Sequence, residues 1–265
     1  MSLLKQLNLI IYMAIFVFYS SFAISKEVYI NNLEWPPYFF STPILPELGF
    51  GKEIINMCMK NTAYQPKYKT LPVMRTHLYM QTGDIDVSVY SYTNERNAFV
   101  YYGKEPIFST TYAFASKKDN NIVINKLSDI DNYTVGHLSG LTYTPEILNA
   151  INSKKTLQEV TTGYSFKALI RQMLASPQRF ELLLNSKETI LWYANQLDVT
   201  NKITVHDLFI AEKDYYLTVS KFSQNIPDPE QLLNQLDTCI KDLKVNGEYK
   251  ALALQYNLQL NAYNN

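Results

Sequence analysis

An α/β fold is what this sequence predicts, and three observations carry the prediction. Strand-like runs alternate with helix-like runs through the first hundred residues, the pattern of parallel βαβ units. The same grammar starts again at Thr111 and continues to the C-terminus. With 265 residues, 47% of them apolar, the chain has room for one large domain or two small ones. No low-complexity linker and no short internal repeat separates the halves. Any division into lobes must therefore run through crossing strands.

The elements follow in order. "EVYIN" (27–31) reads as a strand. "EWPPYFF" (34–40) has two prolines that a central strand would not hold, so it reads as a loop presenting Trp35, Tyr38 and Phe39. "GFGKEIINMCMKN" places Gly51, Ile54, Ile55 and Cys58 on one helical face. "PKYKTL" is a short strand, and "VMRTHLYMQTG" a helix closed by Gly83. "DIDVSVY" (84–90) alternates like a half-buried strand.

In the second half, "TYAFASKK" (111–118) is a strand, "LSDIDN" a turn and "YTVGHL" a strand. "SGLTYTPEIL" is a loop entering a helix, with Thr144 as N-cap and Pro145 at the first helical position. "TLQEV" is a strand and "YSFKALIRQML" a helix; "RFELLLN" is a strand and "SKETILWYANQ" a helix. "YYLTVS" (215–220) is the last strand. The helices "PEQLLNQLDTCIKDLK" and "EYKALALQYNL" follow, with Gly247 between them.

Lys plus Arg and Asp plus Glu are equal at 24 each, so no basic excess points to nucleic acid and no acidic run to disorder. The N-terminus has Lys5, an apolar run from Leu9 to Phe18, then "SSFA". That is the order of a secretory signal peptide, with cleavage expected after Ala23. The apolar run is nearer ten residues than the roughly 20 of a membrane-spanning helix. In an oxidising compartment Cys58 and Cys239 are either a disulfide or two buried thiols.

Catalytic signatures are sparse. There is no HExxH and no CxxC to hold a metal, and no cofactor is expected. His77, His137 and His206 fall in different elements. "GHLSG" puts Ser139 one place too late for a nucleophile elbow, and "GFGKEI" lacks the third glycine of a dinucleotide loop. Three features suit an anion instead. Arg96 follows a strand beside Ser91 and Thr93. "SGLT" (139–142) precedes a helix start, where backbone N–H groups favour negative charge. The aromatic loop from Trp35 could cover an apolar body.

The order of "EWPPYFF", "GFGKEIINMCMK", "GDIDVSVYSYTNERNAFVYYGKEPIF", "YTVGHLSGLT", "YYLTVSK" and "LDTCIKDLKVNGEYKALALQYN" resembles the family 3 extracellular solute-binding proteins, periplasmic receptors of polar amino acid ABC transporters. "LPVMRTHLYMQTGDIDV" is similar to a proteobacterial branch that often has Trp where Val73 stands. The resemblance implies a two-lobe, type II periplasmic binding protein fold with two crossover strands, near 112–117 and 215–221. After the signal peptide read above at 1–23, it implies lobe 1 at 24–112 and 219–265, and lobe 2 at 113–218.

It further implies that Arg96 clamps a ligand carboxylate, with Ser91 lining the same pocket. Trp35 would stack on the ligand, and Thr142 would meet the carboxylate from lobe 2. Ser139 and Tyr38 complete the expected site. Ser186 stands where amino acid binders carry an Asp for the α-ammonium, with Glu188 two residues on. The expected partners are a small-molecule ligand and an ABC permease, for a periplasmic monomer that binds no nucleic acid. The alternatives are a dehydratase-like enzyme of the same fold, using Glu188 or Glu181, and a soluble receptor presenting ligand to a separate sensor.

Overall fold

The structure is a computed structural model that describes residues 25–42, 48–141, 143–154, 160–163, 165–206, 208 and 212–258. The expected leader at 1–23, Thr142, and residues 156–159 of the "TLQEV" strand lie outside the described residues. Ten strands and seven α-helices are described. The strands are β1 (Lys26–Asn31), β2 (Tyr64–Lys69), β3 (Val87–Ser91), β4 (Val100–Thr110), β5 (Tyr112–Lys117), β6 (Val135–Leu138), β7 (Val160–Gly163), β8 (Leu182–Ser186), β9 (Ile203–His206) and β10 (Lys213–Ser220). The helices are α1 (Phe50–Met59), α2 (Val73–Thr82), α3 (Pro145–Asn152), α4 (Phe166–Leu174), α5 (Lys187–Gln196), α6 (Pro229–Asn246) and α7 (Glu248–Gln255).

They build two five-stranded sheets, ordered β2-β1-β3-β10-β4 and β7-β6-β8-β5-β9. The early βαβ alternation makes β1 parallel to β2 and β3. In the second sheet β6 runs parallel to β7 and β8. The chain crosses between the sheets at Thr110–Tyr112 and again ahead of Lys213. Strand β10 lies wholly in the first sheet, antiparallel to β3 and β4, so the lobe boundary expected at 218 falls inside it.

Strand β3 departs from the half-buried reading, because all five of its residues are buried. It sits between β1 and β10, and a strand covered on both faces reads as a continuous buried run. Strand β4 was not expected at all. Gly103 and Pro106 argue against a strand, and both are tolerated because β4 is the sheet edge. Register shifts against β10 accommodate them. The Asp237 carboxylate of α6 accepts from the Lys104 and Glu105 amides at 2.8 and 3.1 Å, so the irregular edge is satisfied by a side chain. "LSDIDN" forms a 3-10 helix rather than an open turn. Thr144 does precede α3, but its hydroxyl caps nothing.

The first core gathers α1, α6 and α7 on their sheet. Ile54, Ile55 and Cys58 face inward as the periodicity predicts. Cys58 and Cys239 are joined by a disulfide with Cα atoms 5.5 Å apart, tying α1 to α6. Among the described residues no helix is long and apolar enough to cross a membrane.

Candidate ligand-binding cleft

A cavity of about 550 Å3 lies between the two sheets. Its walls come from the carboxyl ends of parallel strands: Trp35 beyond β1, Leu71 beyond β2, Ser91 ending β3, Ser139 beyond β6 and Asn185 near the end of β8. That is where open α/β sheets place ligands, because the strand ends and loops there leave a crevice. A larger depression of about 1020 Å3, beside Asn61, Asp228 and Cys239, is open to solvent on the outer face. It lacks convergent groups from both sheets, so the cleft is the better candidate.

Arg96 sits in a 3-10 turn (Asn94–Ala98) between β3 and β4, which returns its side chain to the end of β3. Its Nη1 donates to the Ser91 carbonyl at 2.8 Å and lies 3.4 Å from Ser91 Oγ. The guanidinium lies 4.5 Å above the Tyr90 ring, a cation–π placement that fixes its orientation. The Tyr90 hydroxyl meets His77 Nδ1 at 2.8 Å. Burial, then Arg96, pulls His77 down to about 4, so it lines the cavity as a neutral ring at pH 7.

The aromatic loop divides its residues between cleft and core. Trp35 bonds back to Phe39 through its backbone, and Pro36–Pro37 is cis. Trp35 lines the cavity, edge-on to Tyr215 at 4.7 Å. Tyr38 and Phe39 do not. Tyr38 is 2% exposed, stacked on Phe108 at 4.1 Å behind Trp35. The reason lies in "GFGKEI". The carbonyls of Pro37 and Tyr38 accept the first amides of α1, from Phe50 and Gly51, at 2.9 Å. A Cβ at Gly49 would meet the Tyr38 oxygen at 2.6 Å, and one at Gly51 the Phe39 ring at 2.8 Å. Those glycines permit this close approach and cradle no phosphate.

Trp35 also reaches the second sheet. Its indole N–H points to Ser186 Oγ at 3.4 Å, Ser186 donates to Thr189 Oγ1 at 2.6 Å, and Thr189 donates to the Pro36 carbonyl at 2.7 Å. Ser186 is thus buried, bonded into this bridge and absent from the cavity lining. Ser139 lines the cavity beside Gly140, whose φ of +81° suits glycine. A Cβ on Gly140 would come within 3.3 Å of Val73 across the cleft. So Arg96, Ser91, Trp35 and Ser139 converge, Tyr38 and Ser186 stand behind, and Thr142 is outside the described residues.

Val73, His77, Phe166, Asn185, Thr189 and Tyr215 also line the cleft and were missed. The strand-end rule was the available signal for Asn185, and for the loop that leads to Val73. Glu181 is outside the lining, accepting from the Thr134 amide and hydroxyl at 3.0 and 3.2 Å.

Residues 29–259 match the sequence profile of the bacterial extracellular solute-binding proteins, family 3. The chain belongs to that family. No curated protein sequence matches this solute-binding protein. Among solved structures, an ancestral arginine-binding protein bound to arginine is 18% identical with a TM-score of 0.73, over 88% of this chain and 99% of that one. The arginine-, lysine-, histidine-binding protein ArtJ of Geobacillus stearothermophilus is 16% identical with a TM-score of 0.70, over 87% and 94%. A histidine kinase sensor domain similar to periplasmic binding proteins is 13% identical with a TM-score of 0.71, over 87% and 95%. These likenesses show the fold, a type II periplasmic binding protein.

In this solute-binding protein Glu188 faces Tyr38 rather than the cavity, and burial lifts its carboxyl to about 7. Unfolded, the group releases its proton near pH 4.3. A folded pKa above the unfolded one means that rising pH favours the unfolded chain across roughly 4.3 to 7. Glu188→Gln removes that loss and keeps an acceptor for the Tyr38 hydroxyl. The variant should match the parent near pH 4 and exceed it by roughly 1–3 kcal/mol at pH 8, on a scale of 1.36 kcal/mol per pKa unit. Paired urea melts at the two pH values check this; a variant no more stable than the parent at pH 8 rules it out.

Proposed function

We propose that this solute-binding protein captures a small carboxylate-bearing solute between its two lobes and presents it to the permease of an ABC importer. Arg96 is the observation that carries the reading. It is tied to Ser91, laid over Tyr90 and placed on the wall of the cleft. A guanidinium fork matches a carboxylate in direction as well as charge. The ancestral arginine-binding protein and ArtJ bind amino acids, and each such ligand carries a carboxylate. In this reading the leader at 1–23 is cleaved and the mature monomer works in the periplasm without a cofactor. Lobe 1 comprises 24–112 with the C-terminal return, lobe 2 the span between. The sheet assignment of β10 favours a return beginning at 213. The candidate acids Glu181 and Glu188 both stand outside the cleft, which favours capture over dehydration chemistry.

Thermal-shift and calorimetric titration of the chain from Ile24, over amino acids and small carboxylates, tests the reading. A carboxylate should bind saturably where its carboxamide does not, and saturation should lower the radius of gyration by hinge closure. Equal binding of acid and amide would remove Arg96 as the anchor. An unchanged radius at saturation would place the solute on one lobe.

A further inference from the structure

The cleft is far more apolar than a polar amino acid requires. Around the Arg96, Ser91 and Tyr90 corner, the walls are Leu71, Val73 and Met74 on the side of the first sheet and Leu138, Leu141 and Phe166 on the side of the second. At about 550 Å3 the cavity falls in the range that encloses drug-sized ligands. The groups that could read an ammonium are engaged elsewhere. Ser186 is buried in the Trp35–Thr189 bridge. Glu34 is the one carboxylate among the described lining residues, and it stands exposed at the rim. Its Oε1 accepts from the Tyr193 hydroxyl at 3.0 Å, and its Oε2 from the Ser41 amide at 3.0 Å and the Ser41 hydroxyl.

We infer that the ligand is an amphipathic organic anion: a carboxylate at Arg96 carrying an extended apolar body along the Leu71–Met74 and Leu138–Phe166 walls, with no ammonium beside the carboxylate. This rests on the anion-clamp reading above and adds the chemistry of the rest of the ligand. The energetic logic is simple. An apolar wall offers nothing to a polar side chain except desolvation, whereas each buried methylene of an alkyl chain is stabilised by leaving water. Val73 is the gate for that body. It lies across from Gly140, and as the first residue of α2 it is only half-buried, so a larger side chain there enters the cavity.

The test is a calorimetric series of butanoate, hexanoate, octanoate and decanoate on the chain from Ile24. Hexanoate is paired with L-2-aminohexanoate, and the variants are Val73→Trp and Arg96→Gln. Affinity should rise by up to about fourfold per methylene until the cavity is filled. Hexanoate should bind at least as tightly as its 2-amino counterpart. Val73→Trp should erase the advantage of octanoate over butanoate, and Arg96→Gln should weaken every member. Affinity flat with chain length, or a 2-amino acid binding tenfold tighter than its parent acid, overturns the amphipathic ligand. If Arg96→Gln still weakens binding in that case, the clamp itself survives. Chain-length dependence indifferent to Arg96→Gln overturns both. Absence of binding across the whole series overturns the amphipathic ligand.

Discussion

Arg96→Ala should weaken binding of the carboxylate ligand by roughly 2–5 kcal/mol, because it leaves the ligand's charge desolvated and unpaired. That is roughly thirtyfold to more than a thousandfold in Kd, at a factor of ten per 1.4 kcal/mol. The fold should survive. The Ser91 carbonyl keeps the Tyr102 hydroxyl as donor at 3.1 Å, so truncation leaves no orphaned acceptor. Arg96→Lys should restore only part of the affinity, since a point charge lacks the two-pronged geometry. Ser186→Ala should cost about 0.5–1.5 kcal/mol, the scale of one neutral hydrogen bond, acting through the position of Trp35. Calorimetry on the four proteins decides the matter. An Arg96→Ala variant that binds with parental affinity returns Arg96 to a structural role over Tyr90.

Cys58→Ala/Cys239→Ala should lower the melting temperature by roughly 4–20 °C, the largest stability change we expect from any pair of substitutions. The bridged residues are 181 apart in sequence. A loop of that length gives about 5 kcal/mol in the chain-entropy treatment, and removing native disulfides typically costs about 2–5 kcal/mol. For a chain of this size each kcal/mol moves the midpoint by roughly 2–4 °C. Neither cysteine lines the cleft, so affinity measured well below the transition should change little. Reductant should have the same effect on the parent and none on the double variant. Quantitative alkylation of both cysteines in denatured, unreduced protein exported through its own leader would show that the bridge does not form.

Much of the candidate cleft's lining was legible because its cues are local. Arg96 follows a strand by a few polar residues, and the turn chemistry of "SYTNERN" already places it at the strand end. Gly83 and Gly247 close α2 and α6 in the left-handed conformation that the sequence marks with glycine. The helix faces of Ile54, Ile55 and Cys58 come from periodicity alone. Strand β4 was lost for the opposite reason: Gly103 and Pro106 are breakers by local rule. What makes them harmless is an edge position and an aspartate more than 130 residues away.

By itself, then, the sequence determined the alternation of strands and helices, the ends of most elements and an arginine waiting at a strand end. These follow from interactions spanning a few residues, where backbone preference and apolar period act without reference to the rest of the chain. The tertiary structure alone decided which apolar side chains became core and which became cavity wall. Trp35 and Tyr38 share one loop, yet one faces the cleft and the other lies beneath it, because α1 docks its first amides on that loop. Ser186 meets Trp35 across 151 residues of sequence. Leu71, Val73 and Phe166 read as ordinary apolar positions until two sheets leave a gap between them. Apolar burial has no direction of its own, so only the packing of distant segments decides whether such a side chain fills a core or lines a space for something else.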